Sequence, residues 1–202
     1  MQASLEIVEL ARDVLSISDF AEAFKLASIE WRDKQDRSLV IGRLRQLIKP
    51  PPKRPLYYAI HELSLLPWGT RDSIRYLGDY IDLLTKEIAF EFCEGEGRHS
   101  SLTTNAKRLE RLPQFRKLSL NLQRYSDFLY TPGKHDFSLP PGRHHRFTAA
   151  EVVLTAFITM RLATEIRSAS KFAEDAACEK RFYVIGGKWG SPDRVSYSGE
   201  KI

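Results

Sequence analysis

Three of the five histidines fall between positions 135 and 145: His135, His144 and His145. Lys134, Asp136, Arg143 and Arg146 stand among them. An imidazole titrates near neutral pH, so it can take a proton from a hydroxyl or return one to a leaving group. A neighbouring guanidinium or ammonium can hold a phosphate and stabilise the charge that develops on it. Together these groups suffice for phosphodiester cleavage without a metal, a 2′-hydroxyl attacking the adjacent phosphate while histidines move the protons. His135, His145 and Arg143 are then the catalytic candidates; Lys134, His144 and Arg146 are the phosphate-binding candidates. Zinc is the weaker chemistry. His135, Asp136 and His144 or His145 offer ligand types but no recognised spacing, and the arginines oppose a dication. No metal and no cofactor is expected.

The string Arg143-His144-His145-Arg146 lies just before Thr148, which with Glu151 makes the capping box of a helix start. A helix is positive at that end, and each cation there is unfavourable by about 0.3–1 kcal/mol. Cations gathered where they are repelled imply a compensating anion, which free amides at the helix end would also bind. That anion is either a phosphate or the protein's own carboxylates: Asp136, Asp72, Asp79, Asp82 or Glu87. The second case makes the segment a structural loop.

The elements that must position this segment read as helices. Leu5, Val8, Ala11 and Leu15 recur at helical spacing. Ser18 or Asp19 can cap a helix carrying Phe20, Phe24, Ala27 and Trp31, and Ser38 can cap another over 39–48. Lys49-Pro50-Pro51-Pro52-Lys53-Arg54-Pro55 then interrupts, because serial prolines favour extended geometry. Residues 56–66 read as helix, stopped by Pro67-Trp68-Gly69. Thr70 or Asp72 opens the longest helix, to about Cys93, with Ile74, Leu77, Ile81, Leu84 and Ile88 as its core stripe. A short helix is expected over 106–112. Pro113 suits the first turn of the next, which carries Phe115, Leu118, Leu122, Tyr125 and Leu129. A loop is expected from Thr131 to Phe147. The last helix, from Thr148 to about Ala173, is apolar on nearly every side over 152–163, as a central helix is. Residues 181–187 could form a short strand before a loose end.

The expected architecture is all-α: an antiparallel helical bundle with extra N-terminal helices and a short irregular C-terminal tail. It divides into an N-terminal helical segment (1–49), a bundle core (56–173) and the tail (174–202). At 202 residues the chain can bury about 70% of its unfolded surface without disulfides or metal. Two cysteines, Cys93 and Cys178, cannot build a disulfide scaffold or a four-ligand zinc site. No apolar run reaches the ~18 residues of a membrane span, and acids in the first fifteen residues argue against a signal peptide. The expected setting is the cytoplasm, with no membrane partner.

The net charge is +5, and two windows concentrate the excess. One holds Arg37, Arg43, Arg45, Lys49, Lys53 and Arg54 without an acid. The other holds Lys107, Arg108, Arg111, Arg116, Lys117 and Arg124 against Glu110. Each is either a solvated face balanced by distant acids or a phosphate-contacting surface. Nucleotide-binding glycine loops, the H-E-x-x-H zinc motif and the G-x-S-x-G elbow are absent. His61 reads as a packing histidine on a partly buried helix face. Tyr57, Tyr58, Tyr76 and Tyr80 read as core-edge aromatics rather than base-stacking platforms.

A helical bundle with basic and histidine residues entering its last long helix resembles the HEPN superfamily. The resemblance covers about 56–173 and rests on the helix pattern and the 134–147 segment. It implies an all-α nucleotide- or RNA-binding protein. In catalytic members it implies a metal-independent ribonuclease of toxin or phage-defence systems, often working as a homodimer. Those members carry an Arg a few residues before a His near the last helices. Here the only literal match is Arg54 and His61, at the start of an early helix. The alternative to an RNA- or nucleotide-binding role is a non-catalytic protein–protein interaction module. A weaker third is DNA binding through the basic helix over 107–124.

Overall fold

The computed structural model describes residues 3–31, 33–48, 54–66, 68, 70–93, 98–135 and 147–170. They form an all-α structure, with no strand among the described residues. The helices are α1 (Leu5–Val14), α2 (Ile17–Ala27), α3 (Lys34–Leu47), α4 (Arg54–Leu63), α5 (Thr70–Phe92) and α6 (Leu102–Glu110). After a 3-10 turn at Pro113–Phe115 come α7 (Arg116–Tyr125), a π-helical turn (Ser126–Tyr130), α8 (Thr131–His135) and α9 (Ala149–Ala169).

The centre is α9. Its residues from Ala149 to Thr159 are buried, as are Leu162, Ala163 and Ile166. Helices α1, α2, α3, α5 and α7 pack around it, and the apolar faces of α1 and α2 join the same core as α5 and α9. The capping box is present: Thr148 Oγ1 accepts the Glu151 amide at 3.2 Å, and Glu151 Oε2 accepts the Thr148 amide at 2.8 Å. Glu151 Oε1 also accepts the Ser4 amide at 3.0 Å, so one carboxylate ties the start of α1 to the start of α9. In α5 the expected stripe of Ile74, Leu77, Ile81, Leu84 and Ile88 is wholly buried.

Two helices begin earlier than their apolar spacing suggests. Asp33, not Ser38, caps α3 by accepting the Asp36 amide at 2.8 Å. Ser101 caps α6 by accepting the Thr104 amide at 3.2 Å. The first turn of α3, Lys34-Gln35-Asp36-Arg37, carries no apolar residue that would reveal it.

The expected loop from Thr131 is corrected: the chain stays helical to His135, through Pro132 and Gly133. The Thr131 amide donates to the Ser126 carbonyl, five residues back. This wider ring displaces the i−4 register that a proline would otherwise break. Glycines then let this arm press against α5. A Cβ on Gly78 would come 2.2 Å from Tyr130 Cδ2, and one on Gly133 would come 3.2 Å from Ile74 Cγ2. The Gly133 carbonyl accepts from Arg71 Nε at 3.1 Å. The tail and the suggested strand at 181–187 lie outside the described residues. No helix among the described residues is long and apolar enough to cross a membrane.

Candidate functional site

Among the sequence-predicted site residues, Lys134 is placed with its side chain. It lies one turn after Tyr130 on the arm that packs against α5. Its Nζ donates to the Tyr130 hydroxyl at 2.5 Å, and that hydroxyl donates to Asp79 Oδ1 at 2.7 Å. Lys134 Nζ also lies 3.6 Å from Asp79 Oδ1, so the ammonium has an intramolecular carboxylate among those the sequence offered. His135 closes α8, and only its backbone is described. Arg143, His144, His145 and Arg146 lie outside the described residues, as does Asp136.

The Lys134 cluster continues inward along α5. Asp82 Oδ2 accepts from Lys86 Nζ at 2.8 Å, while Asp82 Oδ1 is buried with no hydrogen-bond partner among the described residues. Burial pushes the Asp82 carboxyl up, against the pull of Lys86 and Lys134. Burial, with the charges of Asp82 and Asp79, also pushes the Tyr130 phenol up. Tyr130 therefore stays protonated and serves as a donor to Asp79. Deeper still, Tyr125 and Thr159 share a hydrogen bond of 2.7 Å between α7 and α9. The network binds the arm to α5 and spends its positive charge on its own acids. Sequence reading missed Tyr130. Its i, i+4 spacing to Lys134 has meaning only once the helix is known to continue past Thr131.

Among the described residues the two basic windows have separate fates; Lys49, Lys53 and the Arg54 side chain lie outside the described structure. In α3, Arg43 forms an ion pair with Glu22 of α2. Arg37 donates to the Ser64 carbonyl at 2.9 Å, and Arg45 donates to the Ser64 hydroxyl. These guanidiniums fasten α3 to its neighbours. In the second window Arg124 pairs with Asp13 at 2.5 Å, and Arg108 donates to Ser100 Oγ at 2.6 Å. Glu110, the window's acid, accepts from Gln123 at 3.0 Å. Lys107, Arg111, Arg116 and Lys117 are exposed, and no carboxylate lies within ion-pair distance of them among the described residues.

These four cations cluster where α6 ends and α7 begins. Lys107 of α6 and Arg111, at the C-cap that follows it, lie on the side opposite the buried Leu102, Ala106 and Leu109. Arg116 and Lys117 occupy the first turn of α7, which has no acid and no side-chain cap. The helix dipole opposes cations there, the same electrostatic conflict the sequence suggests before α9. Phe115 anchors the turn edge-on to Phe92 at the C-terminal end of α5, ring centroids 4.9 Å apart. Lys134 lies near the other end of α5, about 27 Å away along the α7–α8 rod at ~1.5 Å per residue. The basic turn and the Lys134 cluster are therefore separate regions.

His61 is corrected from a packing residue to an exposed one: 64% of its side chain is accessible, 3.4 Å from Glu62. It follows Tyr57 by one turn, on the face of α4 opposite the buried Leu56, Ala59 and Leu63. No cluster of three or more metal-ligating side chains occurs among the described residues. Set against known protein families, curated proteins and solved structures, the chain matches none.

Proposed function

We propose that the chain is a HEPN-like helical-bundle protein that binds RNA, with the turn between α6 and α7 as a phosphate-contacting surface. The observation that carries this reading is the group of exposed cations Lys107, Arg111, Arg116 and Lys117, which lack carboxylate partners among the described residues. Cations on both sides of one turn, two of them set against a helix dipole, suit a polyanion better than solvent. In the catalytic form of the proposal, the 2′-oxygen bonds to the adjacent phosphorus as the P–O5′ bond breaks, and His145 or His135 takes the 2′-hydroxyl proton as base or gives one to the leaving 5′-oxygen as acid. Arg143, Arg146 and His144 hold the phosphate, whereas Lys134, the other phosphate-binding candidate, is engaged by Asp79.

The test is a salt titration of binding to single-stranded RNA and to duplex DNA, with cleavage read on the same samples in EDTA. Binding that weakens steeply with salt supports the phosphate surface. RNA shortened despite EDTA supports metal-independent cleavage, and its loss on exchanging Arg143 and His145 for Ala would assign that cleavage to the segment before α9. Absence of binding at low salt would overturn the RNA reading.

A protein–protein interaction module is the second reading. Lys134 has its own carboxylate in Asp79, and Tyr57, Leu65 and Trp68 of α4 and the turn after it are exposed. Self-association or partner binding without RNA affinity would favour it.

A further inference from the structure

The N-terminal half of α5 carries a surface built from rings. Tyr57 and Tyr58 of α4 meet edge-on, centroids 5.8 Å apart. Tyr58 lies on Tyr76 of α5 at 5.2 Å, tilted by 33°. The Arg75 guanidinium lies over the Tyr76 ring, 4.6 Å from its centroid. Tyr57, the other end of this series, is 62% exposed.

Helix packing accounts for the middle of the ladder, since Tyr58 and Tyr76 join α4 to α5. It does not account for the ends. A phenol left mostly in water forgoes the gain of burying a large ring. A guanidinium laid on a ring makes a flat cationic step. Two neighbouring acids are paired with cations: Asp72 lies 3.6 Å from Arg75, and Asp79 lies 3.6 Å from Lys134. An aromatic and guanidinium ladder with an end open to solvent is what unpaired bases stack on.

We infer that this ladder is a stacking site for an unpaired base of single-stranded RNA, with Tyr57 as its open step. The inference rests on the RNA reading and deepens it, because it makes the ligand single-stranded. Base contacts and phosphate contacts then come from opposite ends of α5. From Arg75 to Phe92 the helix rises about 26 Å at ~1.5 Å per residue, so either contact can be removed without the other.

The experiment titrates the full chain with an oligouridine and with a hairpin duplex of equal phosphate number, over a range of salt. Tyr57→Ala should weaken oligouridine binding about tenfold, leaving its salt slope and the duplex affinity unchanged. Tyr57→Trp should restore the affinity, since any π face serves. Unchanged oligouridine affinity in Tyr57→Ala overturns the inference, and persisting salt-dependent binding leaves the RNA reading in place. If Tyr57→Ala alters sedimentation but not RNA affinity, the ladder is a protein contact and the inference is overturned. If the wild-type protein binds neither RNA at low salt, the RNA reading itself falls and the inference falls with it.

Discussion

The two basic windows look alike in composition, and their described residues differ in use. The guanidiniums of α3 reach Glu22 and Ser64 and hold helices together. Four cations around the turn between α6 and α7 reach no carboxylate among the described residues. The partners decide the difference. Glu22 lies 21 residues from Arg43, and Ser64 lies 27 from Arg37, so neither pairing is local. Charge density along a sequence thus says where cations are, and the fold says which of them remain available. Lys134 belongs with the first group, because Asp79 and Tyr130 take up its charge.

The comparison breaks most visibly at the basic turn. Combining Lys107→Gln, Arg111→Gln, Arg116→Gln and Lys117→Gln should lower RNA affinity on the order of a hundredfold at ~0.1 M salt and flatten the salt slope by about 3. Chemical denaturation should find stability within about 0.5 kcal/mol of wild type, since Arg116 and Lys117 oppose the dipole of α7 while Lys107 and Arg111 favour that of α6. Unaltered affinity would mean that the four cations only solvate the surface.

The structural side is sharpest at Gly78. A Cβ there would collide with Tyr130, so Gly78→Ala should cost about 1–3 kcal/mol in a denaturant midpoint assay. The loss should come from detaching the arm that carries Lys134. RNA affinity at the basic turn should survive wherever the variant is still folded.

Smaller effects separate the windows further. Arg43→Ala removes an exposed ion pair, so melting temperature should fall slightly and salt should mask the loss. Its RNA affinity should match wild type; a clear loss would place α3 in the binding surface. The two acids also predict opposite pH trends. The Arg43 hydrogen bond and charge hold Glu22 below the usual carboxylate range. Its contribution is therefore present above that range and is lost as pH falls through the lowered pKa. Burial raises Asp82, so its contribution is present in acid and is lost as pH rises through the raised pKa. Asp82→Asn should gain stability relative to wild type as pH rises through that interval, in melts across the acid range. A gap between the two proteins that stays constant with pH would contradict this.

Much of the helix pattern was legible. The stripe of α5, the capping box of α9 and the apolar girth of α9 follow directly from residue spacing. The polar first turn of α3 and the early start of α6 were not: Asp33 caps a turn with no apolar residue, and Ser101 caps one in which Leu102 stands alone before three polar residues. The stretch from Thr131 to His135 reads as the start of a loop because Pro132 and Gly133 usually make a break. Its continuation depends on a π turn and on close approach to α5, where Gly78 leaves room for Tyr130. For the candidate site, residue types were legible and availability was not. The cations of the basic turn stood in the sequence beside Arg108 and Arg124, which the fold engages elsewhere. The ring ladder spans α4 and α5, so it exists only after the two helices pack.

The most direct test is lysine protection. The full chain is acetylated with and without saturating single-stranded RNA, and each lysine is read by mass spectrometry. The account predicts that Lys107 and Lys117 are protected by RNA, while the exposed Lys25 of α2 and Lys34 of α3 react as before. Protection confined to Lys25 or Lys34, or no change at Lys107 and Lys117, would contradict it.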